Sequence, residues 1–172
     1  MKDFVYIKDN FLTDDECDQI ISTYKPKVDG YVDYTGYNSF FITENIPHID
    51  KIISITGEYV KKFPEIQQTP NQWRMGDLRF QWWEPGKSFS NFHCEHTLDN
   101  ARRVAGFQIY LSSHNCGTEF YTGEVIKSVK GRAVIFPAFW THLHRGQVCP
   151  DNLDRYMIIG YYFYHSDKDQ LT

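Results

Sequence analysis

The chain has 172 residues and a mass of 20.4 kDa, one domain's length and enough to bury a substantial core. Apolar residues make up 41% and aromatic residues 17%, which excludes a disordered chain, while a mean hydropathy of −0.51 and the lack of a long apolar run exclude a spanning helix. The formal net charge of −4 argues against a protein that scans nucleic acid by bulk electrostatics, so no nucleic-acid partner and no membrane are expected.

Met1-Lys2-Asp3-Phe4 carries an acid at once and has no apolar run, so no secretory signal is expected and a cytoplasmic location follows. Phe4 to Lys8 alternates enough for a short strand. Thr13 and Glu16 then form a capping box, with acids filling the first turn. A helix over 14–24 is predicted, ending before Pro26, with Phe11 and Cys17 stapling its start. Tyr31, Tyr34, Tyr37 and Phe40 recur every three residues, but Gly30, Gly36 and Asn38 favour loop or strand. That aromatic stretch is either a lid over a substrate mouth or a cap buried on the core; composition leaves both open. Ile49, Ile52, Ile53, Ile55, Tyr59, Val60 and Phe63 predict a second amphipathic helix within 47–63.

After Pro70 the character changes. Short β-rich runs occupy 78–84, 104–111, 118–121, 125–129, 132–136 and 155–164, separated by glycine-containing turns. The expectation is a mainly β protein with N-terminal helices: one domain over 1–172, with 1–70 a mainly helical support and 71–172 the β core. Cys17, Cys94, Cys116 and Cys149 contain no C-x-x-C pair, and free thiols are expected. Arg102-Arg103 and the group Lys127, Lys130 and Arg132 are expected on the solvated surface. A monomer is the default.

Histidines concentrate in the β half. In Phe92-His93-Cys94-Glu95-His96, alternation along a strand puts His93 and Glu95 on one face and Cys94 on the other. One further ligand would complete a two-histidine, one-carboxylate face that leaves metal positions open. Trp140-Thr141-His142-Leu143-His144-Arg145 supplies two candidates about 50 residues on, and both share a face if that stretch is a strand. Arg155 opens the most hydrophobic strand, where an unpaired charge is costly; a bound dicarboxylate is one natural partner.

The order His-x-acid, distal histidine, basic residue resembles that of the Fe(II)- and 2-oxoglutarate-dependent dioxygenases, most closely their prolyl 4-hydroxylase-like branch. Gln81-Trp82-Trp83-Glu84-Pro85-Gly86, Cys116-Gly117-Thr118-Glu119-Phe120 and Val129-Lys130-Gly131-Arg132-Ala133 are similar to that branch's segments, as is Asp9-Asn10-Phe11-Leu12. The resemblance implies a double-stranded β-helix (jelly-roll) core supported by two or more helices. It implies iron ligands His93, Glu95 and His144, the last chosen over His142 by register with Arg155. Arg155 and Tyr110 would hold 2-oxoglutarate, Trp83 would line its pocket or simply pack, and no catalytic residue is assigned beyond the metal ligands. The implied activity is hydroxylation of a C–H bond, of peptidyl proline or of a small molecule such as an amino acid, with 2-oxoglutarate converted to succinate and ascorbate as an accessory reductant. A cupin-type metal protein that does not use 2-oxoglutarate is the rival. Glu95 replaces the commoner Asp, and Cys116 stands where the pattern has Gly.

Overall fold

The computed structural model describes residues 3–28, 37–42, 46–69 and 71–165. The chain opens with β1 (Tyr6–Lys8) and α1 (Asp14–Val28), then β2 (Tyr37–Phe41) and α2 (Ile49–Lys62). The β core follows as β3 (Trp73–Trp83), β4 (Arg103–Tyr110), β5 (Gly117–Phe120), β6 (Val125–Lys127), β7 (Ala133–Pro137), β8 (His144–Gly146) and β9 (Arg155–Tyr164). Six strands form a large sheet in the order β1-β7-β4-β9-β3-β2, and three form a small sheet in the order β6-β5-β8. All pairings are antiparallel. An isolated bridge between His93 and His144 adds residue 93 to the free side of β8. The two sheets face each other as a double-stranded β-helix, as the motifs imply.

Period-two alternation divides the large sheet into two faces. Phe80 of β3, Phe107 and Ile109 of β4, Ile135 of β7 and Ile158 of β9 pack outward into one cluster with Cys17, Ile20 and Tyr24 of α1 and Ile52, Ile55 and Tyr59 of α2. The helices therefore cover the outer face. The intervening residues Trp83, Tyr110, Val134, Phe136 and Met157 meet Phe120 and Ile126 of the small sheet in a second cluster. The space between the sheets is thus lined by a different residue set from the helix-bearing face, and the candidate site lies there.

The capping box forms as read: Thr13 N–H donates to Glu16 Oε2 at 2.7 Å, and Glu16 N–H to Thr13 Oγ1 at 3.2 Å. Phe11 and Cys17 are both buried in the outer cluster. Helix α1 does not stop before Pro26 but runs on to Val28. Proline in the last turn removes a single amide donor and leaves the upstream ladder intact. Tyr31 and Tyr34 lie outside the described residues, while Tyr37–Phe41 pairs along β3, so the aromatic stretch ends as an edge strand. No helix among the described residues is long and apolar enough to cross a membrane.

The expectation of four free thiols is wrong for two of them. Cys116 and Cys149 form a disulfide, while Cys17 and Cys94 are free. The partners lie 33 residues apart, on the turn entering β5 and the loop before β9, and only the pairing of β5 with β8 brings those segments together.

Candidate metal centre

His93 is held by the two bridge hydrogen bonds it exchanges with the His144 backbone, at 3.0 and 2.9 Å. Two residues on, Glu95 N–H donates to the Ala138 carbonyl at 3.0 Å, just beyond β7. His93 and Glu95 therefore line one cavity, as alternation predicts, although the segment forms a single bridge and not a strand.

Each imidazole is oriented by its Nδ1. His93 Nδ1 donates to the Asn91 carbonyl at 3.0 Å, and His144 Nδ1 to the His142 carbonyl at 3.0 Å. A carbonyl only accepts, so both Nδ1 atoms carry the proton and both Nε2 atoms are left as bases, the tautomer a metal requires. Those Nε2 atoms lie 3.6 Å (His93) and 3.4 Å (His144) from the same oxygen, Glu95 Oε1. One donor atom from each of the three residues falls within 4.8 Å of the others, so the three can hold one cation. Burial alone would raise the Glu95 carboxyl, but His144 and His93 outweigh it and hold the group far below the carboxylate range. Burial likewise opposes protonation of His93, yet its bond to Glu95 raises its pKa above the usual 6.5.

His142 takes no part. It ends a 3-10 turn over Trp140–His142, and its Nε2 donates to the Asp3 carbonyl at 2.6 Å. His142 and His144 do not share a strand face, because β8 starts only at His144. His96 faces away, its Nδ1 bonded to the Arg103 carbonyl at 3.1 Å.

Arg103 corrects a further expectation. It is buried, not solvated, and its Nη1 donates to Glu95 Oε2 at 3.1 Å while its guanidinium lies 3.6 Å from the Tyr161 ring centroid. Strict alternation back from Gln108 and Tyr110 would turn Arg103 outward; the register shift between Arg103 and Ala105 reverses this, and nothing in the sequence marked it. The second carboxylate oxygen of Glu95 is therefore occupied, and only Oε1 faces the histidines.

The cavity, of about 210 Å³, runs from this cluster to Arg155 and Tyr110. Arg155 is 4% exposed, and its Nη1 donates to the Gln147 carbonyl at 3.2 Å and touches the sulfurs of Cys116 and Cys149. Its Nε is buried without a hydrogen-bond partner, and no carboxylate lies within ion-pair distance among the described residues. Burial is the main influence on this guanidinium and lowers its pKa; the nearby Tyr110 and Asp151 oppose the shift. Trp83 forms part of the wall, its ring 5.2 Å from the guanidinium carbon. Thr118 donates to Gln108 Oε1 at 2.9 Å, so Tyr110, 2.6 Å from Thr118 Oγ1, is the donor of that pair. Gln108 and Thr118 are polar floor residues to which the sequence reading gave no role, although Thr118 lies inside the Cys116–Phe120 segment.

No protein-family model and no curated protein sequence matches the chain. Solved structures do match in fold. A viral collagen prolyl hydroxylase from Paramecium Bursaria Chlorella virus-1, in a 2OG complex, superposes with a TM-score of 0.73 at 19% identity, over 94% of this chain and 97% of that one. A prolyl-4-hydroxylase from Pseudomonas putida gives 0.73 at 13% identity, over 96% and 95%. A prolyl hydroxylase from Trichoplax adhaerens, in complex with a hypoxia inducible factor oxygen degradation domain peptide fragment, gives 0.72 at 15% identity, over 99% and 88%.

Proposed function

We propose that the chain is an oxygenase that uses Fe(II) and 2-oxoglutarate to hydroxylate a C–H bond, of a peptidyl residue with proline foremost. The observation that carries this reading is one cavity holding both an open two-histidine, one-carboxylate face and a buried arginine without a carboxylate partner among the described residues. The residues present fit both groups. Two imidazole nitrogens and one carboxylate oxygen suit Fe(II) and leave positions free for other ligands. The orphaned Nε of Arg155 suits a carboxylate, which guanidinium binds in bidentate fashion.

His93 Nε2, His144 Nε2 and Glu95 Oε1 would hold the iron, and Arg103 keeps Glu95 Oε2 away from it. Arg155 would take the distal carboxylate of 2-oxoglutarate, and the Tyr110 hydroxyl would turn from Thr118 to donate to the same group. Phe136 packs 4.7 Å from the His144 ring and Phe89 4.5 Å from the His93 ring, so apolar faces limit water around the ligands. When bound, iron and 2-oxoglutarate supply the oxidising power, with one oxygen atom of dioxygen going to the substrate and the other to succinate. Support for a peptide substrate comes from the peptide bound to the Trichoplax relative in fold.

Anaerobic titration with Fe(II) and then 2-oxoglutarate tests the reading. A visible charge-transfer band that needs both components, followed by gain of one oxygen mass on a proline-containing peptide in air, is the expected result. Metal binding with no effect of 2-oxoglutarate would favour a cupin-type protein. A band without peptide oxidation, but with oxidation of a free amino acid, would move the substrate to small molecules.

A further inference from the structure

Behind Arg155, outside the cavity, two loops face each other. One carries His114-Asn115-Cys116 and the other Cys149-Pro150-Asp151, two donor-x-donor pairs. His114 Nδ1 lies 3.1 Å from Asp151 Oδ2, and a donor atom from each of His114, Cys149 and Asp151 falls within 4.8 Å of the others. Cys116 Sγ is bonded to Cys149 Sγ. His114, Cys116 and Cys149 are buried, and the His114 side chain is 1% exposed. We propose that these four residues form a second cation site, for zinc or a metal of similar softness, which the Cys116–Cys149 disulfide holds closed and reduction opens.

The surroundings favour a metal over a plain hydrogen-bond cluster. Ser112 Oγ lies 2.8 Å from His114 Nε2 and also accepts from Tyr156 N–H at 3.0 Å. That second partner on the far nitrogen fixes the ring and leaves Nδ1 as the ligand atom. Asn115 N–H holds Asp151 Oδ2 at 3.0 Å, while Asp151 Oδ1 is buried with no partner. A buried orphan carboxylate oxygen is costly, and a cation relieves it. Charge also balances. Two thiolates and one carboxylate meet a divalent cation and the Arg155 guanidinium, whose Nη1 is 3.6 and 3.7 Å from the two sulfurs. Two sulfurs, an imidazole and a carboxylate are a zinc-type set.

The opening step uses a phosphine reductant. Two electrons pass to the disulfide, the S–S bond breaks, phosphorus takes an oxygen from water to give the phosphine oxide, and the two water protons yield two thiols. Cation binding then releases both thiol protons. The inference borders the oxygenase reading at Arg155 but does not rest on it, because the four proposed ligands are all distinct from the residues that reading uses.

The test is cobalt(II) titration of the full-length chain carrying H93A and H144A, before and after phosphine reduction and without oxygen. Reduced protein is expected to develop a thiolate-to-cobalt charge-transfer band that saturates at one equivalent and is displaced by zinc. Unreduced protein should not. The double variant C116S/C149S should abolish the band, and H114Q should weaken cobalt binding tenfold or more. X-ray absorption of the zinc form of the unmutated, reduced chain should count two sulfur ligands, a measurement independent of how the variants fold. No band after reduction, a band that survives C116S/C149S and so reports Cys17 or Cys94, or zinc without sulfur ligands would each overturn the proposal.

Discussion

Glu95 serves two partners through two oxygens: Oε1 faces His93 and His144, and Oε2 is bonded to Arg103. His144 and His142 are separated just as cleanly, since only His144 turns its Nε2 to that carboxylate. H144A is therefore expected to lose metal binding in calorimetry with Mn(II), whereas H142A keeps it. Metal must also compete with a proton on His93, whose pKa is raised above its usual 6.5. Apparent metal affinity should accordingly fall as pH drops, and the fall should begin above the ordinary imidazole value of 6.5. If Arg155 holds 2-oxoglutarate as proposed, Arg155→Ala would remove a charge-assisted contact worth about 1.5–3 kcal/mol, and the apparent KM for 2-oxoglutarate should rise about 10- to 150-fold. Arg155→Lys should recover little of this, because an ammonium lacks the planar fork. Steady-state assays at varied 2-oxoglutarate check both.

Among the elements, α1 owes its start to a local rule and its place to packing. Thr13→Ala deletes the cap on Glu16 N–H and should cost about 1 kcal/mol in denaturant unfolding. Its neighbours in the fold are less local. Gly131 has φ +79°, and its carbonyl accepts from both Phe11 and Leu12 N–H, so this turn before β7 docks the entry to α1. A Cβ at Gly131 would run into the Leu12 carbonyl, and one at Gly117 into the Ile126 carbonyl. Gly117→Ala thus meets rigid backbone across the β5–β6 pair and should lower the melting temperature more than Thr13→Ala does. The boundaries of both helices and most strands were legible to within a few residues, since period and caps are written locally. Pro26 misled because its cost depends on where in the helix it falls.

At the scale of the molecule, acid sensitivity follows from the carboxyl groups. Hydrogen bonds from Arg132, Lys51, Tyr6 and Arg145 lower the pKa values of Asp9, Glu16, Glu58 and Glu119 respectively. In Glu95 and Asp151 burial acts the other way and is outweighed, chiefly by His144 and by Asn115 N–H. Folded-state values below the ordinary 4.5 and 3.8 mean stability that is complete above those values and lost as pH falls through and below them. The melting temperature of the metal-free protein should therefore be level near neutrality and fall steeply below about pH 4.5, as a calorimetric pH series would show. The Cys116–Cys149 bond closes a 33-residue separation, for which chain entropy gives about 4 kcal/mol. Reduction without metal should lower the melting temperature, and zinc added after reduction should raise it again if the second site forms.

What the sequence determined by itself is what neighbours along the chain can encode. The capping box, the alternation that turns Phe107 and Ile109 outward and Gln108 and Tyr110 inward, and the pairing of His93 with Glu95 on one cavity all depend on spacings of a few residues. Tertiary structure decided every question that joins distant segments. The β5–β8 register chose Cys149 as the partner of Cys116, the bridge from His93 set His144 and not His142 beside Glu95, and the register shift at the start of β4 delivered Arg103 to Glu95. The physical reason is common to all three. A side chain's chemistry is local, but its partner is fixed by strand pairing and sheet stacking, and those are settled by burial summed over the whole fold.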